Sequence, residues 1–253
     1  MSKFNDFVQS GTPLFPQLPL THICEAFDFR NIAVTQQLAT SPCNVFAGEH
    51  LLYFFYGKPA YRPFRENAAT SNLAFMPVCI LLKPEALRRP KRVAPFDTGA
   101  FQNGLFKDQM HPKMKLDDFL LDPTYDMPAR VVGRFYDSNK AYYSESPVQI
   151  TIPPLEFEAA SYYGLISAKA TTPTDDRRST IEVQSDSAIA LTTDLVLLIV
   201  LPRVFLDDSG FRTACSALAT DIRMYSTYHC SPREYQSALY GEVEAFLTDR
   251  GFI

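Results

Sequence analysis

Apolar positions recur along the chain in two rhythms, and together they predict short strands mixed with helices. Alternation with a period near two, or apolar runs of strand length, falls at residues 19–25, 51–56, 75–82, 148–152, 162–167, 180–184 and 195–201. The run at 75–82 is apolar nearly throughout, the pattern of a strand buried on both faces. Residues 195–201 predict a central strand stopped by Pro202. Helical spacing is found at 29–38, through Ile32, Val34 and Leu38, and most clearly near the C-terminal end. There Ser231, Pro232 and Glu234 stand as N-cap, first helical residue and capping-box acid. Tyr235, Leu239, Val243, Phe246 and Leu247 follow on one face, with Gly251 just past the end.

Between these segments the pattern weakens in two places. Residues 1–18 are dense in turn-formers (Gly11, Pro13, Pro16) and predict an irregular lead-in. Residues 90–147 predict a loop-rich insertion with short elements at 116–121 and 129–136, or else two helices of poor periodicity. No break divides the chain. The expected organisation is one domain over 1–253, α+β in class, closing in helices over 210–253.

Composition changes this picture little. With 46% hydrophobic and 21% charged residues, the chain has what an ordinary packed core needs. Nineteen prolines fit many short elements with stiff connections. The net charge of −4 argues against a broad nucleic-acid coat, although Lys83, Arg88, Arg89, Lys91 and Arg92 make one basic stretch. That stretch reads either as a solvated loop or as a local binding patch. Cys24, Cys43, Cys79, Cys215 and Cys230 form no C-x-x-C pair and fit reduced thiols. The first residues lack a charged-then-apolar layout, and no apolar run is long enough to span a bilayer. A cytoplasmic protein without membrane association is the expectation.

The familiar catalytic motifs are missing: no phosphate loop, no G-x-G-x-x-G, no H-E-x-x-H, no zinc-spaced cluster and no G-x-S-x-G. His22, His50, His111 and His229 are isolated, and no metal site is expected. Three windows remain. One is His22 in the strand Leu20-Thr21-His22-Ile23, followed by Phe29-Arg30-Asn31-Ile32. Another is the aromatic strand Leu52-Tyr53-Phe54-Phe55-Tyr56 running into Gly57-Lys58-Pro59 and on to Arg62. The last is Glu182, flanked by Ile181 and Val183 after Asp175-Asp176-Arg177-Arg178.

In this order the windows resemble an ADP-ribosyltransferase fold with a His–Tyr–Glu set, and more closely the DarT-like toxins that ADP-ribosylate nucleic acid. The resemblance covers residues 19–201 through short motifs only. It implies split, twisted, mostly antiparallel sheets with peripheral helices, and NAD as co-substrate. Glu182 would be catalytic, while His22, Asn31, Tyr53, Tyr56, Lys58 and Arg62 would bind the cofactor. Where the family carries Arg after the aromatic strand, this chain has Lys58, with Arg62 four residues later. Partners implied are a macromolecular acceptor such as a DNA or RNA base, and a neutralising antitoxin, in a toxin or antiphage setting. Chemically, breaking the nicotinamide–ribose bond builds positive charge on the ribose, which a fixed carboxylate stabilises.

Ordinary readings stand beside these. His22 fits a satisfied strand histidine, Tyr53 and Tyr56 plain packing, and Glu182 the polar side of an amphipathic strand. Glu156 and Glu158, on one face of an expected strand, are rival carboxylates, and Asp97 is a turn-former in a loop. A non-catalytic module that binds a protein through Tyr53, Tyr56 and Tyr61 is the competing function. A nuclease built on Asp97, Asp117 and Asp118 lacks recognisable spacing.

Overall fold

A computed structural model describes residues 2–60, 71–87, 89–168, 175–219, 221–227 and 232–253. Among them are eight α-helices and ten strands, most of the strands gathered into one mainly antiparallel sheet. The class is mixed α and β, as the two rhythms predict. No helix among the described residues is long and apolar enough to cross a membrane.

The sheet runs β10(Ile222–Tyr225), β9(Val196–Pro202), β5(Pro77–Leu82), β1(Leu20–Glu25), β4(His50–Tyr56), β7(Glu182–Ser185) and β6(Arg92–Ala94). The short β3(Ser41–Pro42) also pairs with β4. Among the described residues, the β10–β9 pair alone is parallel. A separate ribbon joins β2(Gln37–Leu38) to β8(Ile189–Ala190). Every residue of β5 is buried, which is why its sequence shows no alternation.

One pairing is unusually brief. β1 lies along β5 for all six of its residues, but meets β4 only at Leu20↔Tyr56 and Thr21↔Phe55. Beyond Thr21 the two strands part. The His22 ring fills the start of the gap, its Nδ1–H donating to the Tyr53 carbonyl at 2.9 Å. Because a carbonyl only accepts, the proton is on Nδ1.

Helices cover the sheet. α2(Ala26–Thr35) follows β1 directly and ends at Gln36 in the left-handed region. α7(Ser209–Leu218) packs beside it, and α8(Pro232–Asp249) lies on β5, β9 and β10. Tyr235, Leu239, Val243, Phe246 and Leu247 are all buried, and Gly251 adopts φ +72° past the end, the stop its position predicts. Ser231, the expected N-cap, lies outside the described residues.

Several expectations are corrected. The lead-in contains α1(Lys3–Gln9), capped by Ser2 Oγ accepting from Asn5 N–H, with Phe4, Phe7 and Val8 buried. Residues 90–147 hold β6, α3(Thr98–Gln102), α4(Asp126–Phe135) and α5(Asn139–Tyr143). Residues 162–167 belong not to a strand but to α6(Phe157–Ser167), so Glu156 and Glu158 sit at a helix start and not on a strand face. Residues 148–152 pair with no strand among the described residues. Helices α1, α4 and α6 close around an aromatic cluster in which Tyr162 meets Phe135 at 4.8 Å and Phe4 at 5.3 Å, both edge-on.

Candidate functional site

Where β1 and β4 part, a cavity of about 730 Å³ opens between them, closed at the side by α2 and residues 37–41. His22, Asn31 and Tyr53 all line it. They arrive from three elements, so the short β1–β4 pairing brings together residues far apart in sequence. The cavity is of a size that takes a cofactor or drug-sized ligand. Arg30 and Phe27 from the exposed side of α2 complete one wall, with the guanidinium 5.3 Å from the ring centroid. Phe27 is 59% exposed. The Tyr53 hydroxyl is 2.7 Å from Cys43 Sγ, which also accepts from the backbone N–H groups of Val45 and Phe46.

Glu182 sits on the neighbouring strand. Paired residues of an antiparallel ladder project to one side, so Tyr53 and Gln184, then Phe55 and Glu182, share a face with Arg92 and Ala94. Glu182 itself does not line the cavity and is buried. Its carboxylate accepts from Thr98 N–H (3.1 Å), Thr98 Oγ1 (2.8 Å) and Gln184 Nε2 (2.5 Å). Gln184 Oε1 in turn accepts from Arg92, whose other terminal nitrogen donates to Glu49. Arg92 can only donate, so it turns the Gln184 oxygen outward and the Gln184 amide N–H toward Glu182. Burial pushes the Glu182 carboxyl up to about 7, with Asp97 adding to the rise, against the hydrogen bonds from Gln184 and Thr98. The hydrogen bond from Arg92 holds Glu49 at the other end below the usual carboxylate range.

Tyr56 and Lys58 are placed elsewhere. Tyr56 is buried, its hydroxyl accepting from Leu18 N–H at 2.9 Å while burial raises the phenol far above its ordinary value. Lys58 is fully buried in an ion cluster. Its ammonium meets Glu145 at 3.3 Å and Ser179 Oγ at 3.2 Å, and lies 4.8 Å from the Tyr142 ring centroid. Glu145 also pairs with Arg178 at 3.2 Å. Burial alone would raise the Glu145 carboxyl, but Lys58, Ser179 and Arg178 together lower it. Nearby Asp176 is raised by burial and accepts from Tyr240 and Thr180. This cluster ties together segments around residues 58, 145, 178 and 240. Arg62 and Tyr61 lie outside the described residues.

The basic stretch is partly spent on neighbours: Lys91 pairs with Asp186 at 3.2 Å, and Arg92 packs 3.8 Å from the Phe46 ring centroid. Arg88 is outside the described residues. Asp97 caps α3 by accepting from Ala100 N–H at 2.7 Å, a helix cap where the sequence suggests a turn-former. Among the described residues, no group of His, Cys, Asp and Glu is arranged to hold a metal ion. Sequence reasoning passed over Arg30, although it stands next to Asn31 in the quoted motif. Thr98 and Gln184 were also missed, and Arg92 was read only as part of the basic stretch. Gln184 had a readable signal, since it alternates with Glu182 on the same strand; Thr98 had none. No family model matches this chain, and no curated protein does either.

Proposed function

We propose that this protein is a mono-ADP-ribosyltransferase that cleaves NAD in the cavity between β1 and β4. It would pass ADP-ribose to a macromolecular acceptor, such as a DNA or RNA base, as a toxin or antiphage effector. One observation carries the reading: the strands part after two pairs, and His22, Asn31 and Tyr53 surround the opening. In this scheme Tyr53 and His22 hold the dinucleotide and Arg30, on the wall, meets its pyrophosphate. Lys58 has no such role, because Glu145 already takes its charge.

The reaction breaks the ribose C1′–nicotinamide bond, and nicotinamide leaves with the electron pair. The ribose cation is then attacked by an acceptor lone pair, and the acceptor's proton passes to water. Glu182, two pairs along from the Tyr53–Gln184 rung and on the same face, is the carboxylate that stabilises the cation. Reaching it requires the Thr98 contact to open, since Glu182 is buried.

The test is nicotinamide release from NAD, with DNA, RNA or protein mixtures as acceptors, for wild type, Tyr53→Ala and Glu182→Ala. The proposal expects release and label transfer by wild type, with loss of each in both variants. It fails if NAD neither stabilises the protein thermally nor is consumed with any acceptor, or if Glu182→Ala behaves as wild type.

A further inference from the structure

A second cavity, also about 730 Å³, lies between α6 and residues 109–118 and shares no lining residue with the first. Its floor is one face of α6, where Phe157, Ala160, Ser161 and Gly164 follow helical spacing. Small side chains leave the room: a Cβ at Gly164 would meet nothing within 4 Å. Phe157 is 55% exposed at the rim, and Met114 supplies a half-buried thioether on the facing loop.

Two polar groups of this cavity are unsatisfied in opposite senses, while Asp118, also on the lining, accepts from Lys115 N–H at 2.8 Å. Glu158 Oε2 is buried without a hydrogen-bond partner among the described residues, a costly state for a carboxylate oxygen. Lys113 is exposed and makes no ion pair among the described residues. His111 Nδ1 accepts from Lys113 N–H at 3.2 Å, so the neutral ring carries its proton on Nε2 and offers a donor. A purely cationic ligand would satisfy Glu158 and face Lys113; a purely anionic one would leave Glu158 orphaned.

We propose that this cavity binds an amphoteric ligand of the apolar amino-acid or short-peptide class. Its ammonium pairs with the Glu158 carboxylate, whose side chain turns to bring Oε2 out of its buried position, and its carboxylate meets Lys113 and His111. Its apolar body packs on Phe157, Met114 and the α6 floor.

The test is isothermal titration of the full chain with L-phenylalanine and the dipeptide L-phenylalanyl-L-leucine, beside N-acetyl-L-phenylalanine and L-phenylalaninamide. At least one free zwitterion binds, and blocking either charged end weakens binding about tenfold or more. Glu158→Gln gives a similar loss. Gly164→Leu fills the floor and abolishes binding while the melting temperature holds or rises, because glycine leaves a helix interior. Should Gly164→Leu fail to fold, Glu158→Gln decides alone. Saturation of Glu158→Gln at the wild-type concentration would overturn the proposal, as would no heat from either zwitterion at millimolar concentration. His22→Ala leaves this binding unchanged, which separates the inference from the NAD reading.

Discussion

Glu182 offers the most quantitative test of the structure. Its carboxyl is buried and titrates near 7, against an ordinary glutamate value of 4.5. Between those two values the folded protein holds a proton that the unfolded chain has released. Stability therefore falls as pH rises through this window, by about 1.4 kcal/mol per pH unit, and is flat above it. The whole displacement amounts to about 3 kcal/mol for a group with no solvent screening. Glu182→Gln removes the titration. How well the amide fits between Thr98 and Gln184 sets a constant offset between variant and wild type. The pH dependence of their difference is free of that offset. Carboxylates with lowered values, such as Glu145 and Glu49, contribute equally to both proteins and cancel. Urea unfolding from about pH 5 to about pH 8 should show the variant gaining about 3 kcal/mol on wild type, most of it below pH 7. Parallel curves would refute the reasoning, since they would mean that Glu182 is ionised throughout despite its burial.

Activity should follow the same group in the opposite sense. If the ionised Glu182 stabilises the ribose cation, nicotinamide release rises as pH increases through about 7, which a pH–rate profile would read. Lys58→Ala strips Glu145 of a buried partner and should cost about 3 kcal/mol in chemical denaturation; an unchanged midpoint would deny the ion cluster its structural role. Gly133→Ala, on α4, drives a Cβ into the Thr12 carbonyl oxygen and should destabilise by about 2 kcal/mol or more, visible as a lower melting temperature.

Elements whose signals are local were legible. The α8 pattern of Tyr235, Leu239, Val243, Phe246 and Leu247 needs only one helix face and one glycine stop, and both are written in order. α6 was misread because Ala160, Tyr163 and other apolar residues surround the buried Tyr162, Leu165 and Ile166, which blurs the helical period. Residues 148–152 show the converse failure. Ile150 and Ile152 do pack against the core, so their alternation is real, yet they join no ladder among the described residues. Periodicity reports which side is buried, not whether a ladder forms. In the site, His22, Asn31 and Tyr53 were readable as a group, and the structure gathers them around one cavity. The partners of Glu182 and Lys58 were not. Thr98 is 84 positions from Glu182, and Glu145 is 87 from Lys58, distances at which sequence spacing says nothing of contact.

The brief meeting of β1 and β4 also has a mechanical meaning. The sheet is two well-laddered panels, β10-β9-β5-β1 and β4-β7-β6, joined by two residue pairs and a few further bonds: the Thr21 hydroxyl to the Phe55 carbonyl at 3.0 Å, His22 Nδ1–H to the Tyr53 carbonyl at 2.9 Å and Gly57 N–H to the Pro19 carbonyl at 2.8 Å. A plate bends where its cross-section is thinnest, so the sheet would bend most easily along this line. A small rotation about it changes the width of the mouth beside His22 while each panel keeps its own register. If the cavity takes NAD as proposed, stiffness along that line would set how readily it admits and releases the dinucleotide.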